Sequence, residues 1–257
     1  KKLSILSSIV LAAGLLAACG SGEGDKSSTT NGAGSAGDGL ESKIVTIATG
    51  GASGPYNIIG TKLAEIYTSE YDVNSRTQTT GSSVENLNLI DQGKVEIAFV
   101  MSDALSQAIN GEVSFNEKIE SVSTIATLYP NVVQIITKAD SGIKTVEDLK
   151  GKRVAVGDQN SGVEVNARTI LNGHGITYDD IKVDYLGYAA AADGLSAGTI
   201  DAAFLTSGLP NASVMELSQS LDITLVSIDP KKVAEIAKEH PYFISYEIKP
   251  DVYSNKE

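Results

Sequence analysis

The sequence predicts an α/β fold built from two similar lobes. Short apolar runs typical of β-strands alternate with segments of helical periodicity from residue 41 onward. The same order of runs occurs twice along the chain, which indicates two units of one topology. Loops rich in glycine and serine separate strands from helices, and open α/β sheets bind ligands at such loops. Together these observations predict two α/β lobes with a ligand cleft between them.

The first forty residues differ from the predicted fold. Lys1 and Lys2 precede an apolar segment that ends in Leu-Ala-Ala-Cys. Residues 1–18 resemble the signal peptide of a bacterial lipoprotein with Cys19 as the lipidated residue, and a plain secretory signal with a chance cysteine is the alternative. Residues 19–40 are mostly Gly, Ser and Thr, which predicts a flexible tether. Two acyl chains on Cys19 would anchor the protein to the lipid bilayer, on the extracytoplasmic side of the cell membrane.

The composition restricts the partners. The formal net charge of the 257 residues is −12, and so acidic a field repels nucleic acid. We therefore expect no nucleic-acid partner, and any anionic ligand must be held by local dipoles. Cys19 is the single cysteine of the sequence, so that none remains for a disulfide, a metal site or a thiol nucleophile.

The elements of the first unit follow from its residue patterns. The run "KIVTIATG" predicts a strand, and "YNIIGTKLAEIY" carries its apolar residues at helical spacing. The run "VNSRTQTT" predicts a second strand, and "SSVENLNLIDQGK" predicts a helix with Ser82 or Ser83 as its N-cap. The unit ends with "VEIAFVM", which we interpret as a buried strand.

The second unit repeats this order. "KRVAVG", "IKVDYLGY" and "TIDAAFLTSG" predict strands, while "VEVNARTILNGHG" and "AAAADGLSAG" predict helices. The segment "LIDQGKVEIAFVMS" also resembles "GLSAGTIDAAFLTS" at a constant offset that pairs Glu96 with Asp201 and Phe99 with Phe204. Chance similarity is the alternative, but the run of matches favours a repeat.

Four loops of these units share one chemical character. "GGASGP", "TTGSSVEN", "GDQNSGVE" and "TSGLPN" contain glycine, which lets the backbone approach a ligand, and Ser, Asn or Thr, which can hydrogen-bond. The N-terminus of the helix that follows carries an effective charge of about +0.5. Two facing lobes would present these loops to a shared cleft, so the pattern predicts a clamp for a small anion.

Four segments resemble the solute receptor of a TRAP transporter of the TAXI type. They are "TGGASGPY", "TTGSSVENLNLIDQGKVEIAFV", "LYPNVVQIITKADSGIKTVEDLKGKRVAVGDQNSGVEVNARTIL" and "GTIDAAFLTSGLPNASV". The resemblance implies a periplasmic binding protein type II fold, two α/β lobes that close on a small solute and deliver it to the permease, the membrane subunit of the transporter. It also implies a small carboxylate as solute: an amino acid such as glutamate or glutamine, or a dicarboxylate. Asn57 and Ile58 depart from the family pattern, which has a second tyrosine and a proline after the equivalent of Tyr56.

We therefore expect lobe 1 at residues 41–130 and lobe 2 at residues 131–240. Residues 241–257 are expected to return toward lobe 1, and the resemblance implies that this last segment is truncated. A receptor for an ABC importer, or a sensor domain with the same clamp, is the open alternative.

The predicted ligand-binding residues lie in the four loops and the helix starts that follow them. They are Gly51, Ser53, Gly54, Tyr56, Gly81, Ser82, Ser83, Asn86, Asn160, Ser161, Gly162, Glu164, Ser207 and Gly208. The serine hydroxyls can bind a solute or cap helices. Asn86 and Asn160 can read an amino-acid side chain or lie in surface turns, and Tyr56 can line the pocket or pack on a strand. Glu164 and Asp103 can pair with an α-ammonium group or be solvated.

An enzyme is the competing class. His174 and His240 accompany neither a nucleophile nor a metal-ligand spacing, and turns explain both. The loop "TGGASGPY" matches neither of the glycine motifs GxxxxGK[ST] and GxGxxG, which bind nucleotides. Arg153 is interpreted as structural, while Arg76 can reach an anionic ligand. We expect no catalytic residue, no metal and no cofactor.

Overall fold

The structure is a computed structural model that describes residues 40–253. These residues belong to one compact unit, Gly39–Glu257. The predicted signal peptide, Cys19 and the predicted tether up to residue 39 lie outside the described residues. Within the described part, no helix combines the length and the hydropathy that a membrane span requires.

The first sheet has three parallel strands in the order β2-β1-β3. Its central strand carries the buried side chains of Val45, Ile47 and Ala48. The third strand is shorter than the predicted "VEIAFVM", because only Ile97 and Ala98 pair with the central strand. The elements of this first lobe are β1 (Ile44–Ala48), α1 (Pro55–Tyr71), β2 (Asn74–Gln78), α2 (Ser83–Asp91), β3 (Ile97–Ala98) and α3 (Ser102–Asn110).

The second sheet has five strands in the order β6-β5-β7-β4-β8, with β4 antiparallel to both of its neighbours. Apolar clusters cover both faces of β7, since Phe204 packs into one cluster and Leu205 into the other. The strands of this second lobe are β4 (Val132–Lys138), β5 (Arg153–Ala155), β6 (Lys182–Asp184), β7 (Ala202–Ser207) and β8 (Ile223–Leu225). Its helices are α4 (Gly162–Gly173), α5 (Tyr188–Ala197), α6 (Ala212–Ser218) and α7 (Pro230–Ile236). Short 3-10 helices span Val146–Leu149, Tyr178–Asp180 and Pro250–Tyr253.

The predicted repeat is a repeat of topology. The order β2-β1-β3 of the first sheet recurs as β6-β5-β7 in the second, and all of these strands are parallel. Glu96 and Asp201, which the repeat places at equivalent positions, accept equivalent hydrogen bonds in the two lobes. The backbone N–H of Thr46 in β1 donates to Glu96 at 2.6 Å, and that of Arg153 in β5 donates to Asp201 at 2.8 Å. Each carboxylate thus ties the first strand of its unit to the start of the third.

The residues that follow α7 contact both lobes. The Gln107 amide on α3 of the first lobe lies 3.5 Å from the hydroxyl of Tyr242. Tyr253 is buried in the second lobe, where the backbone N–H of Asn211 donates to its hydroxyl at 3.0 Å. Tyr242 thus contacts the first lobe and Tyr253 the second, and the return of residues 241–257 toward lobe 1 stays a prediction. The residue limits of the two lobes stay a prediction.

Candidate functional site

The loops at the carboxyl ends of the parallel strands face each other across the two lobes. The backbone N–H of Glu85 at the start of α2 donates to the carbonyl of Asn160 in the second lobe at 3.2 Å. A Cβ added at Gly81 would lie 2.6 Å from the carbonyl oxygen of Gln159, so no larger residue fits there without movement. The predicted loops of both lobes therefore meet in direct backbone contact.

The lobes also pack against each other along α3 and α4. The buried amide of Asn166 on α4 donates a hydrogen bond to the buried carboxyl of Asp103 on α3. Met101 of the first lobe packs into an apolar cluster of the second lobe, and Val165 packs into a cluster of the first. A Cβ added at Gly162 would lie 2.7 Å from Sδ of Met101. These contacts join the two lobes along α3 and α4.

Three tyrosines, Tyr56, Tyr129 and Tyr188, form a group beside these loops, which we call the tyrosine cluster. The Tyr56 ring stacks on Phe99 with centroids 5.3 Å apart and lies 6.5 Å from the Tyr129 ring. The Asn131 amide donates to the Tyr56 hydroxyl at 3.3 Å. The Tyr188 hydroxyl donates to a backbone carbonyl of β7 at 2.6 Å. The cluster therefore draws on the first lobe, the second lobe and the segment that leads into β4.

The tyrosine hydroxyls are uncharged at physiological pH. Burial raises the pKa of Tyr129 to about 12. Burial also raises the pKa of Tyr56 and of Tyr188 well above its usual range. The nearby Tyr129 raises both further, and Tyr56 also raises that of Tyr188. Neutral hydroxyls can both donate and accept hydrogen bonds, so the cluster offers polar groups without charge.

Asp158 lies beside the tyrosine cluster, in the loop between β5 and α4. A Cβ added at Gly51 of the first lobe would lie 3.7 Å from its Oδ2, and a Cβ at Gly187 would lie 2.7 Å from the same atom. Burial raises the pKa of the Asp158 carboxyl, while a hydrogen bond from the backbone of Gly187 lowers it. The carboxylate also contributes to the raised pKa of Tyr188. We call Asp158 and the tyrosine cluster together the interlobe site.

Two hydroxyls near the interlobe site have no protein partner. The hydroxyls of Tyr129 and Thr206 are buried and make no hydrogen bond to the described residues. Thr206 is 3% exposed and lies at the end of β7, where its carbonyl accepts the Tyr188 hydrogen bond. Most buried polar atoms in proteins have a hydrogen-bond partner, so each of these two hydroxyls can form a hydrogen bond with a ligand or a water.

The predicted serines divide into two kinds. Ser161 caps α4, because its hydroxyl accepts the backbone N–H of Glu164 at 3.0 Å. Ser83 accepts the backbone N–H of Met101 at 3.0 Å. The hydroxyls of Ser53 and Ser82 make no hydrogen bond within residues 40–253, so both can still meet a solute. The hydroxyl of Ser207 is held by neighbouring side chains in the second lobe and by the carbonyl of Gly208.

Asn86 is fully buried and holds the loops of the first lobe together. Its amide donates to the carbonyls of Thr49 and Phe99 at 2.6 and 2.7 Å. Its amide oxygen accepts the Thr80 hydroxyl at 2.6 Å. Both amide donors are used, so Asn86 positions the loops and has no N–H left for a solute. Asn160, by contrast, is exposed with a φ of 62°.

The two acidic candidates are already paired. Glu164 forms an ion pair with Arg168 and accepts the Tyr178 hydroxyl at 2.8 Å. Asp103 accepts the Asn166 amide described above. Both carboxylates are buried, so neither is solvated as the sequence allowed. Glu164 already has a cationic partner, whereas Asp103 accepts a neutral amide at the contact between α3 and α4.

The predicted glycines line the contact between the lobes. The N-cap of α1 is Gly54, where a Cβ would lie 3.8 Å from the Tyr188 ring, and a Cβ at Gly208 would lie 3.3 Å from the Tyr129 ring. Gly51, Gly54 and Gly208 thus bring backbone close to the interlobe site, whereas Gly81 and Gly162 lie at the neighbouring loop contacts.

The remaining basic and histidine candidates lie elsewhere. Arg153 forms an ion pair with Asp201 at 2.8 Å, and the Arg76 side chain is exposed on β2. His174 lies 2.8 Å from Glu147, and His240 lies 3.0 Å from the Tyr242 hydroxyl. Among the described residues, no group of three or more His, Cys, Asp or Glu side chains could hold a metal ion.

Sequence reasoning missed Tyr129, Asn131, Tyr188 and the role of Asp158. Tyr129 and Asn131 lie within "LYPN", which has no strand or helix pattern. Asp158 lies in a predicted loop, but an acidic side chain is unremarkable in a chain with 32 Asp and Glu residues. When Ser53-Gly54 is aligned with Ser161-Gly162, Asp158 occupies the position of Gly50 in the first unit, and this difference was the available signal.

An open cavity of about 170 Å³ lies at the opposite edge of the second sheet. Lys138, Lys152 and Asp201 line it, near the amino ends of β5 and β7. Ligands of open α/β sheets bind at the carboxyl ends of the strands. The interlobe site, and not this cavity, is therefore the candidate site.

A family model described as the NMT1-like family matches residues 47–257. Solved structures match at low identity. A protein from Bordetella bronchiseptica RB50 is 20% identical with a TM-score of 0.58, over 77% of this chain and 61% of that one. PhnD1 from Prochlorococcus marinus in complex with methylphosphonate is 13% identical with a TM-score of 0.55, over 73% of each chain. The alkanesulfonate-binding protein SsuA from Xanthomonas axonopodis pv. citri, bound to MOPS, is 18% identical with a TM-score of 0.50, over 73% of this chain and 61% of that one.

This likeness confirms the predicted fold class. The chain has the α/β fold of the type II periplasmic binding proteins, with two lobes built on separate sheets. It spans about 61% of the length of SsuA.

Proposed function

The chain belongs to the NMT1-like family, and from this premise we propose that it is an extracytoplasmic receptor that binds a small solute between its two lobes. The supporting observation is the interlobe site, to which Tyr56 contributes from the first lobe and Asp158 and Tyr188 from the second. The unpartnered hydroxyls of Tyr129 and Thr206 would accept the polar groups of the solute.

Closure of the lobes would couple solute binding to a change of shape. The loop contact between Glu85 and Asn160 and the helix contact between Asp103 and Asn166 would form on closing. A solute that touches both lobes favours the closed form by its difference in affinity for the two forms. The closed form is then the shape that a membrane permease recognises.

The finer proposal concerns the transporter. The segments that resemble TAXI-type receptors support a TRAP permease as partner, and a small carboxylate, such as an amino acid or a dicarboxylate, as solute. Cys19 would tether the receptor to the membrane through its lipid. The second candidate is a receptor of an ABC importer. It is supported by the fold likeness to a substrate-binding protein of an ABC uptake transporter from Streptococcus pneumoniae with bound histidine, which is 14% identical with a TM-score of 0.50 over 78% of this chain and 85% of that one.

A thermal-shift screen of the full chain in mild detergent tests the proposal. The panel contains the twenty amino acids, dicarboxylates, methylphosphonate, alkanesulfonates, sugars and nucleotides. A solute at a hundred times its dissociation constant stabilises the folded state by about 2.7 kcal/mol. For a domain of this size that corresponds to a rise in melting temperature of about 5–10 °C. Absence of any shift, or a shift with nucleotides or sugars alone, would contradict the carboxylate receptor.

Uptake by proteoliposomes separates the two kinds of transporter. The receptor is combined with a TRAP permease or with an ABC permease and its ATPase. The proposal expects solute uptake driven by an ion gradient with the TRAP permease. Uptake that requires ATP would favour the second candidate.

A further inference from the structure

Asp158 is a carboxylate without a cationic partner at the contact between the lobes. No ion pair of the described residues includes it, whereas Glu164 pairs with Arg168 and Asp201 pairs with Arg153. Its one hydrogen-bond donor is the backbone N–H of Gly187. A partly buried carboxylate that lacks a cation pays a desolvation cost, so this position is prepared for a positive charge that the chain itself does not provide.

The surrounding loops contain no basic side chain. Residues 49–54, 79–82, 156–161, 185–187 and 208–211 include no Lys, Arg or His. A doubly charged anion such as a phosphonate or a dicarboxylate usually requires a basic side chain. Here it would meet Asp158, which repels it. The electrostatics of the interlobe site therefore disfavour a purely anionic solute.

A single carboxylate can still be accommodated. The unpartnered hydroxyls of Tyr129 and Thr206 can donate to it, and the helices α1 and α4 begin at this contact with Gly54 and Ser161 as N-caps. One anionic group and one cationic group on the same small molecule thus both find partners. That combination is a zwitterion.

We infer that Asp158 binds the ammonium group of the solute and that the receptor is specific for an α-amino acid over dicarboxylates, phosphonates and sulfonates. The inference rests on the proposed function, since it assigns a chemical class to the solute of that site. Asp158 takes the role that the sequence suggested for Glu164 and Asp103. Glu164 already has a cationic partner in Arg168. The buried Asp103 carboxyl lies between α3 and α4, where it accepts the Asn166 amide.

Calorimetric titration of the full chain in mild detergent tests this inference. Every amino acid that binds is compared with the matched acid that lacks the amino group, for example glutamate with glutarate. We expect binding of the amino acid and at least a roughly 10- to 100-fold weaker binding of the deaminated acid, because a charge-assisted hydrogen bond is lost. This comparison uses the unaltered protein, so it does not depend on how a variant folds.

Asp158→Asn is the matched variant, with Asp140→Asn as control. Asp140 is exposed in the turn after β4, at the opposite edge of the second sheet. We expect Asp158→Asn to weaken amino-acid binding by roughly 10- to 100-fold and Asp140→Asn to leave it unchanged.

The possible outcomes distinguish a failure of the role assigned to Asp158 from a failure of the proposed receptor function. Equal affinity for an amino acid and its deaminated acid, or unchanged affinity in Asp158→Asn, would overturn the role of Asp158. Binding of dicarboxylates, phosphonates or sulfonates without amino acids would also overturn it, while a solute receptor would remain. Failure of every solute in the panel to bind would refute the receptor itself.

Discussion

The loop after β1 and the loop after β5 occupy equivalent places in the two lobes but carry different chemistry. In the second loop, the hydroxyl of Ser161 caps α4. The serine of the first loop, Ser53, makes no hydrogen bond within residues 40–253, and α1 begins instead with Gly54 and Pro55. The second loop presents a carboxylate, Asp158, where the first has a glycine.

The difference shows that the repeat preserves the backbone of the two loops but not their polar side chains. The matched carboxylates Glu96 and Asp201 brace equivalent strands, so the repeat preserved a structural hydrogen bond. The loops preserved their position at the carboxyl ends of the strands and diverged in their polar groups. We therefore expect the first loop to supply free hydroxyl and backbone groups, and the second to supply charge.

The largest expected effect of a substitution on stability concerns the loop support of the first lobe. Asn86→Ala removes three buried hydrogen bonds. The carbonyl of Phe99 loses its side-chain donor, and that of Thr49 keeps the more distant Thr80 hydroxyl at 3.4 Å. We expect a loss of about 3 kcal/mol in the free energy of unfolding, measured by urea denaturation. The equivalent position of the second lobe is Ala191, so this support is specific to one lobe.

Asn88→Ala is the matched control for this prediction. Asn88 lies on the same helix, is exposed and donates one hydrogen bond, to the carbonyl of Val84 at 2.9 Å. A change within about 0.5 kcal/mol is expected. Similar losses for both variants would show that Asn86 is not the residue that supports these loops.

Ser161→Ala and Ser53→Ala compare the two loops directly. Ser161→Ala removes a helix cap and is expected to cost about 1 kcal/mol, or about 2–4 °C in melting temperature. Ser53→Ala removes no cap and is expected to change stability by less than about 0.5 kcal/mol. Thermal melts of both variants check the difference, and equal shifts would mean that the loops do not differ as described.

A smaller and pH-dependent effect is expected at the contact between α3 and α4. Burial raises the pKa of the Asp103 carboxyl. Hydrogen bonds from the backbone of Ala104 and from the Asn166 amide lower it by a lesser amount, and the nearby His240 lowers it least. A raised pKa means that this group favours the folded state below its unfolded pKa and loses that contribution as the pH rises through its folded pKa. At pH 7 this carboxyl therefore lowers the stability of the folded state.

Asp103→Asn removes this cost and keeps an acceptor for the Asn166 amide. We expect a melting temperature about 2–4 °C higher at pH 7, as a gain of about 1 kcal/mol would produce. The advantage over the unaltered protein should shrink as the pH falls, because Asp103 then becomes protonated. Melting curves of both proteins between pH 4 and pH 8 measure this advantage. An advantage that grows toward low pH would contradict a raised pKa for Asp103.

Much of the fold could be predicted because it depends on local patterns. The alternation of apolar runs indicated the strands, and the offset that pairs Glu96 with Asp201 indicated the repeated strand order. The strand β3 was overestimated because apolar residues also serve the contact between the lobes, as Met101 does. Periodicity does not distinguish these two uses.

The site could be predicted in part, because loop position is local and side-chain pairing is not. The spacing of Glu164 and Arg168, four residues apart on one helix, indicates an ion pair and could have excluded Glu164. The lack of a partner for Asp158 depends instead on which residues meet across the lobes. Tyr129 reaches the site through tertiary contacts alone, so no pattern in the sequence indicates it.

A crystal structure of the receptor with its bound amino acid tests the central claim most directly. The account predicts solute density at the interlobe site, with the ammonium nitrogen about 2.7–3.2 Å from a carboxylate oxygen of Asp158. The solute carboxylate should lie near the hydroxyls of Tyr129 and Thr206. Density in the open cavity near Lys138 and Lys152, or an amino acid whose ammonium group points away from Asp158, would contradict it.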